Sequence, residues 1–171
     1  IGRDERIHLR ELTREAFSFA YDQYMANGFP SDTLAPLSCR GEDDWGEITL
    51  TLLDTLDTLA LMGNRTEFER GVRFCVDHLT FDRDRTVSLF ETNIRALGGL
   101  LAAHAFALDP ALRLLSGRYP DDYNGGLLPL ATDLAERLLP ALQTDSGIPF
   151  GSINLRHGVS PTESPVTCTA A

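Results

Sequence analysis

The strongest constraint on the fold is an alternation between two kinds of predicted helix along the chain. Hydrophobic periodicity predicts five helices, at roughly 8–26, 47–62, 66–79, 91–108 and 126–142. The first, third and fifth helices each have one apolar stripe and one polar face. The second and fourth are apolar around most of their circumference, and helices of this kind must be buried on most sides.

Two folds are compatible with this alternation. In a double-layered α/α toroid, the second and fourth helices form an inner layer and turn narrow polar stripes towards a central cavity. In an ordinary helical bundle, the same stripes are a few buried polar groups. Periodicity alone leaves both open. Short strands are also predicted at 86–90 and 148–155, so the predicted fold class is all-α with short β-strands.

The charge balance of the chain argues against one class of partner. The net charge is −10, from 25 acidic and 15 basic residues. Because nucleic-acid binding relies on Lys and Arg at the phosphates, no nucleic-acid partner is expected. The sequence also has no run of 18 apolar residues, so no transmembrane helix is predicted.

The polar stripe of the fourth helix carries Glu91 and Arg95, which are four residues apart and therefore on one face. The small residues Gly98 and Ala102 follow on the same side and leave room for a ligand. A structural Glu–Arg ion pair is the alternative, because surface pairs at this spacing are common. The adjacent Gly98 and Gly99 each cost about 1 kcal/mol relative to Ala inside a helix. That cost implies close packing or a ligand near the backbone.

The second helix contributes two carboxylates, Asp54 and Asp57, in apolar surroundings. An unpaired buried charge is costly, so both carboxylates are expected to have partners. The partner is either a buried salt bridge or a loop backbone, unless the residue lines a site. Asp57 lies nearer to the apolar side of the helix, and we expect it to be the more structural of the two.

The three cysteines form no CxxC pair, so the sequence does not indicate a zinc site. Cys75 lies in an apolar stretch, which predicts a buried thiol. Cys39 and Cys168 lie in loops and are better disulfide candidates. Asn64 opens an Asn-Arg-Thr sequon for N-glycosylation in the loop between the second and third helices.

Three segments at compatible spacing form a more specific pattern, namely AYDQY at 20–24, LTLLDTLDTL at 50–59 and LFETNIRALGGLLAAH at 89–104. Together they resemble the signature of glycoside hydrolase family 47, the class I α-mannosidases. Further segments resemble the branch of endoplasmic reticulum (ER) degradation-enhancing α-mannosidase-like proteins; these are FP at 29–30, LAPLSC at 34–39, DWG at 44–46, GV at 158–159 and PVTCTA at 165–170. The resemblance covers essentially all 171 residues.

The resemblance implies an (α/α)7 barrel of alternating outer and inner helices, with residues 1–171 as the N-terminal portion of one catalytic domain. It implies removal of α1,2-linked mannose from high-mannose N-glycans with inversion, helped by Ca²⁺. Glu91 matches the family's acid, Arg95 the arginine beside it, and Asp54 an aspartate that lines the sugar site. The catalytic base and the Ca²⁺ ligands are expected beyond Ala171, so these residues alone are expected to be inactive.

The same resemblance implies a location in the ER lumen and a role in marking misfolded glycoproteins for degradation. It also implies a protein disulfide isomerase-type oxidoreductase as a partner and a glycan on Asn64. We expect Cys39 to pair with a cysteine outside the 171 residues, with Cys168 as the alternative within them. Two other function classes stay open at this point: a lectin-like module that binds mannose without turnover, and a helical scaffold.

Overall fold

The computed structural model of the chain describes residues 1–116 and 123–162, and it is built mainly of helices. The helices are α1 Arg3–Asn27, α2 Leu50–Met62, α3 Arg65–His78, α4 Leu89–Glu91, α5 Gly98–Leu108 and α6 Leu127–Leu138. The strands are β1 Thr33–Ala35, β2 Arg40–Glu42, β3 Thr86–Ser88 and β4 Ser152–Asn154. A π-helical segment, Thr92–Leu97, joins α4 to α5, and a 3-10 turn, Leu139–Leu142, follows α6. The predicted class of helices with short strands is confirmed, whereas Cys168 and the segment 165–170 lie outside the described residues.

The helices predicted to be apolar nearly all round, α2 and α5, pack against each other. α3 packs on α2, α6 packs on α5, and α3 also contacts α6, so these four helices form two layers. α2 and α5 approach so closely that a Cβ on Gly99 would lie 2.8 Å from the backbone oxygen of Leu53. Close helix packing therefore explains Gly99, which was one of the two explanations that the sequence left open.

Helix α1 buries only part of the apolar face that its periodicity predicts. That face carries Leu9, Leu12, Ala16, Phe19, Ala20 and Tyr24. Tyr24 is buried, together with Tyr21, close to the strands and α2. Leu9, Leu12 and Phe19 are 44 %, 46 % and 71 % exposed, so the prediction is confirmed at Tyr24 and wrong at these three residues. No helix in the described part of the chain is long and apolar enough to cross a membrane.

Two helices begin at different residues from those predicted. In each case a side chain accepts hydrogen bonds from backbone N–H groups at the start of the helix. α2 begins at Leu50 rather than near Glu47, because the backbone before it bends around the carboxylate of Asp32. The pattern Thr66–Glu69 predicts a capping box at the start of α3. The structure instead places Asn64 at the N-cap, where its side chain accepts a hydrogen bond from the backbone N–H of Glu67 at 3.3 Å.

The fourth helix, predicted at 91–108, extends from Leu89 to Leu108, and its segment Thr92–Leu97 is π-helical rather than α-helical, which was not predicted from the sequence. The predicted fifth helix is α6, and it ends at Leu138 rather than Leu142. Pro140 lies in the 3-10 turn that follows. Because proline has no backbone N–H, it cannot continue the α-helical hydrogen-bond ladder.

Both predicted strands are present in shorter form, and they pair with each other. β3 runs antiparallel to β4, with Val87 opposite Ile153. The backbone N–H of Leu89 also donates to the oxygen of Gly151 at 3.0 Å, so this small sheet holds the start of α4. The second sheet, a hairpin of β1 and β2, was not predicted from the sequence, because its strands have three residues each and lack an alternating pattern.

Candidate active site

An ion pair joins the two apolar helices on their polar stripes. Nε and Nη2 of Arg95, in the π-helical segment, donate to Oδ2 of Asp54 on α2 at 2.8 and 2.6 Å. The two side chains are 28 % and 31 % exposed, so the pair is shielded from water but remains reachable by a ligand. The structure thus brings together two of the residues that the sequence analysis selected.

Trp45 forms a second contact with the same guanidinium. The central carbon of the Arg95 guanidinium lies 4.9 Å from the centroid of a Trp45 ring. A cation at this distance over an indole face is attracted by about 0.5–2 kcal/mol, depending on its exposure to water. The sequence analysis noted Trp45 only within a family-like segment and assigned it no role.

Asp32 holds the loop that carries Trp45, and the sequence analysis missed it entirely. Its side chain is fully buried, and its Oδ2 accepts from the backbone N–H groups of Trp45 and Glu47, both at 2.9 Å. Its Oδ1 accepts from those of Ile48 at 2.7 Å and Leu50 at 3.3 Å. No sequence pattern marks an acceptor that lies 13 to 18 residues before its donors in the chain.

The loop needs such an anchor because part of its backbone adopts an unfavourable conformation. Glu47 and Thr49 have φ values of 59° and 56°, and Gly46 has a φ of 107°. Residues other than glycine rarely adopt φ values in this range, and each such residue lowers the stability of the fold by about 1–3 kcal/mol. The four hydrogen bonds to Asp32 therefore stabilise a loop path that the sequence would not adopt alone.

Glu91 lies at the end of α4, directly before the π-helical segment. Glu91 and Arg95 both lie in the described part of the chain, and no ion pair joins them. The alternative of a structural Glu91–Arg95 ion pair is therefore wrong. In π-helical structure each hydrogen bond spans five residues instead of four, which rotates the side chains after Glu91 relative to an α-helix. The described residues also provide no hydrogen-bond partner for its carboxylate, whereas its backbone N–H donates to Oγ of Ser88 at 3.3 Å.

Thr92, the next residue, is a fully buried polar group inside the π-helical segment. Its Oγ1 has no hydrogen-bond partner among the residues that the structure describes. Interruptions of this kind in a helix occur frequently at functional sites. The irregular backbone and the polar side chains therefore mark the same stretch of the fourth predicted helix.

The two α2 carboxylates differ in the partners that the described residues offer them. Asp57, expected to be the more structural, accepts one hydrogen bond, from the Thr58 hydroxyl at 3.2 Å, and is half-buried. Asp54 makes the ion pair instead. A helical wheel cannot predict this partner, because Arg95 approaches from another helix.

The ion pair leaves two polar atoms available for a ligand. Both donors of Arg95 converge on one oxygen of Asp54, and within residues 1–116 and 123–162 neither Nη1 of Arg95 nor Oδ1 of Asp54 has a partner. A free donor and a free acceptor on the same ion pair both match hydroxyl groups, each of which can donate and accept a hydrogen bond. The site therefore has the chemistry of a site for a neutral, hydroxyl-rich ligand.

The remaining candidates lie away from this ion pair. Cys75 is buried, as predicted, and burial raises the pKa of its thiol to about 12. Cys39 is exposed on the β1–β2 turn and is not joined to Cys75. Asn64 is exposed at the start of α3, and its side chain is engaged there through Oδ1, whereas its Nδ2 has no partner in residues 1–116 and 123–162.

The described residues do not fit a bound calcium ion. A calcium site collects six to eight oxygen ligands around one point. Among residues 1–116 and 123–162, no group of three or more His, Cys, Asp or Glu side chains is placed to hold a metal ion. The Asp54 carboxylate, a potential ligand, is already neutralised by Arg95.

Comparison with known proteins gives concordant results. Residues 16–171 match the model of glycosyl hydrolase family 47. The chain is 49 % identical over 163 residues to ER degradation-enhancing alpha-mannosidase-like protein 2 of Mus musculus, covering 95 % of this chain and 28 % of that protein. It is 52 % identical over 167 residues to alpha-mannosidase I MNS4 of Arabidopsis thaliana, covering 98 % of this chain and 26 % of that protein.

A solved structure supports the same relationship. The alpha-1,2-mannosidase from Trichoderma reesei superposes with a TM-score of 0.77 at 29 % sequence identity. The match covers 92 % of this chain and 32 % of the fungal one. The chain thus spans between a quarter and a third of the length of these relatives.

Proposed function

The chain belongs to glycosyl hydrolase family 47, and on this premise we propose that the protein containing it removes α1,2-linked mannose from high-mannose N-glycans. The observation that carries the proposal is the Asp54–Arg95 pair, in which Oδ1 and Nη1 have no partner among the described residues. Mannose is neutral and presents adjacent hydroxyl groups, which such a donor–acceptor pair binds. The relatives named as mannosidases support the choice of sugar.

In this proposal Glu91 is the general acid, and its proton goes to the glycosidic oxygen of the leaving group, directly or through a water. A general acid acts within hydrogen-bond reach of the oxygen that it protonates, or through one water. Arg95 forms its ion pair with Asp54 and not with Glu91, so the Glu91 carboxyl group is not held in that pair. Arg95 and Asp54 then orient the sugar.

Inversion requires a second carboxylate that activates a water on the opposite face of the sugar, about 6.5–9.5 Å from the first. We place this base outside the described residues. The closed (α/α)7 barrel belongs to the same proposal, with α2 and α5 as two of its inner helices. The calcium ion that the family implies needs ligands other than those described, and no step is assigned to it.

We place the protein in the ER lumen, acting on misfolded glycoproteins that are destined for degradation. The relatives that carry ER degradation in their names support this location. The exposed thiol of Cys39 is then available to an oxidoreductase of the protein disulfide isomerase type or to a cysteine elsewhere. A glycan on Asn64 is expected in the same compartment.

The test is to incubate the protein that carries this chain with a high-mannose N-glycan and to follow the products by NMR. Mannose released first as the β-anomer supports hydrolysis with inversion. Release of the α-anomer would contradict inversion and require a covalent intermediate. Binding of the glycan without any release would favour the lectin-like function instead, and the absence of binding would favour a scaffold.

A further inference from the structure

Arg95 is held from two sides by residues that the sequence places far from it. Asp54 accepts from its Nε and Nη2, and the central carbon of the guanidinium lies over a Trp45 ring, 4.9 Å from the ring centroid. A carboxylate alone fixes two N–H directions but lets the side chain pivot about the shared oxygen. An aromatic face removes this freedom, because the planar guanidinium then has to stay against the ring.

The position of Trp45 is itself fixed. Its indole packs against the hydrophobic core, and its backbone N–H donates to the buried carboxylate of Asp32 at 2.9 Å. The same carboxylate holds Ile48 and Leu50 at the start of α2, the helix that carries Asp54. One buried acid thus sets the relative positions of both groups that touch Arg95.

We propose that Trp45 is a positioning residue: it orients Arg95 so that the free Nη1 points at the bound sugar, and Asp32 holds Trp45 in place. The inference rests on the proposed function, because it assigns the binding of mannose to Arg95. Trp45 itself does not touch the reacting atoms. Its effect on the reaction passes through Arg95.

A double-mutant cycle tests this route in the protein that carries the chain, with α1,2-linked mannobiose as the substrate. Trp45→Leu is expected to lower kcat/KM about tenfold, mainly by raising KM, which is the size expected of one cation–π contact. In an Arg95→Met background the same substitution is expected to change kcat/KM by less than about twofold, because the contact is already absent. Trp45→Phe, which keeps an aromatic face and most of the volume, is expected to recover most of the loss.

Spectroscopy gives an independent measurement on the protein that carries the chain, where the fluorescence of Trp45, the sole tryptophan of these 171 residues, is obtained as the difference from Trp45→Phe. Arg95→Met is expected to change its fluorescence emission, whereas Asp57→Asn, on the same helix as Asp54, is expected to leave the emission unchanged. An unchanged emission in Arg95→Met would overturn the contact.

Losses that multiply in the double mutant, with normal activity in the unsubstituted protein, would overturn the positioning role alone. An unsubstituted protein that binds the disaccharide without releasing mannose would overturn the hydrolytic function. In that case the same double-mutant cycle is measured on the dissociation constant of the disaccharide. Trp45→Leu is again expected to have a smaller effect in the Arg95→Met background. Absence of both binding and release would overturn the positioning role together with the proposed function.

Discussion

Arg95 binds Asp54 on a neighbouring helix, and among the described residues Glu91, four residues before Arg95 in the chain, has no cationic partner. The four-residue spacing suggests that Arg95 pairs with Glu91, whereas in the structure Arg95 pairs with Asp54. This arrangement separates two tasks. Asp54 balances the charge of Arg95, and the carboxyl group of Glu91 stays available to a ligand.

The first prediction concerns the stability that this ion pair contributes. Asp54→Asn leaves the part-buried guanidinium of Arg95 without its charged acceptor, which lowers the free energy of unfolding by about 1–3 kcal/mol. Asp57→Asn is the matched control on the same helix and is expected to change it by less than about 0.5 kcal/mol. Urea denaturation of both variants makes the comparison. Equal effects of the two substitutions would argue against the ion pair.

The second prediction concerns Asp32. Asp32→Ala removes the acceptor of four backbone N–H groups around a buried loop and is expected to destabilise the protein by about 3–5 kcal/mol. Asp32→Asn keeps one carbonyl oxygen and is expected to have an intermediate effect. The readout is again the midpoint of a denaturant titration. A loss below about 1 kcal/mol in the alanine variant would show that the loop is held by other contacts.

The third prediction concerns the two described cysteines. In the reduced native chain, a thiol reagent at pH 8 is expected to label exposed Cys39 rapidly and buried Cys75 only after unfolding. The folded pKa of Cys75 is about 12 and lies above its unfolded value of about 8.5. Its contribution to stability is therefore fully present below about pH 8.5 and declines as the pH rises towards 12. Labelling of native Cys75 as fast as Cys39 would contradict the buried position.

The oxidised protein provides a separate test of Cys39. Peptide mapping without reductant, after expression in a secretory host, is expected to find Cys39 joined to a cysteine outside the 171 residues. Cys168 is the alternative within them. A free Cys39, or a bond from Cys39 to Cys75, would contradict this expectation.

The fourth prediction separates two uses of the Asn64 side chain. Its Oδ1 caps α3, and its Nδ2 is the atom to which a glycan attaches. In a secretory host Thr66→Ala is expected to remove the glycan and keep the cap, whereas Asn64→Asp also removes the glycan and keeps an acceptor. Asn64→Ala loses both and is expected to be less stable than the other two by about 1 kcal/mol. An unmodified Asn64 peptide in the unsubstituted protein would contradict the glycosylation.

Sequence periodicity was sufficient for the features that depend on local pattern. The five helices, the apolar character of α2 and α5, and the burial of Cys75 follow from residue spacing and are confirmed. The selection of Asp54, Glu91 and Arg95 combined this spacing with a family-like motif. The structure brings Asp54 and Arg95 into contact, and their functional roles remain proposals.

Contacts between residues that are far apart in the chain could not be predicted from residue spacing. Asp32 looks like an ordinary loop residue in the sequence, and its importance comes only from the donors that meet it in the fold. The cation–π contact between Trp45 and Arg95 depends on the loop that Asp32 anchors. The π-helical segment depends on packing between helices, because its sequence also suits an α-helix.

The central claim is that Glu91 supplies the proton in mannoside hydrolysis. Glu91→Gln keeps the size of the side chain, and the described residues provide no partner for the carboxylate that it replaces. Stability is therefore expected to change little. Glu136→Gln, at an exposed position on α6, is the matched control for the chemical change.

The measurement that tests this claim most directly is the initial rate of mannose release from a high-mannose N-glycan. It compares the protein that carries this chain with its Glu91→Gln and Glu136→Gln variants at equal concentration and verified folding. The account predicts that Glu91→Gln lowers the rate by at least about 100-fold, the lower end of the range for loss of a general acid, and that Glu136→Gln leaves it unchanged. A Glu91→Gln rate close to that of the unsubstituted protein would contradict it.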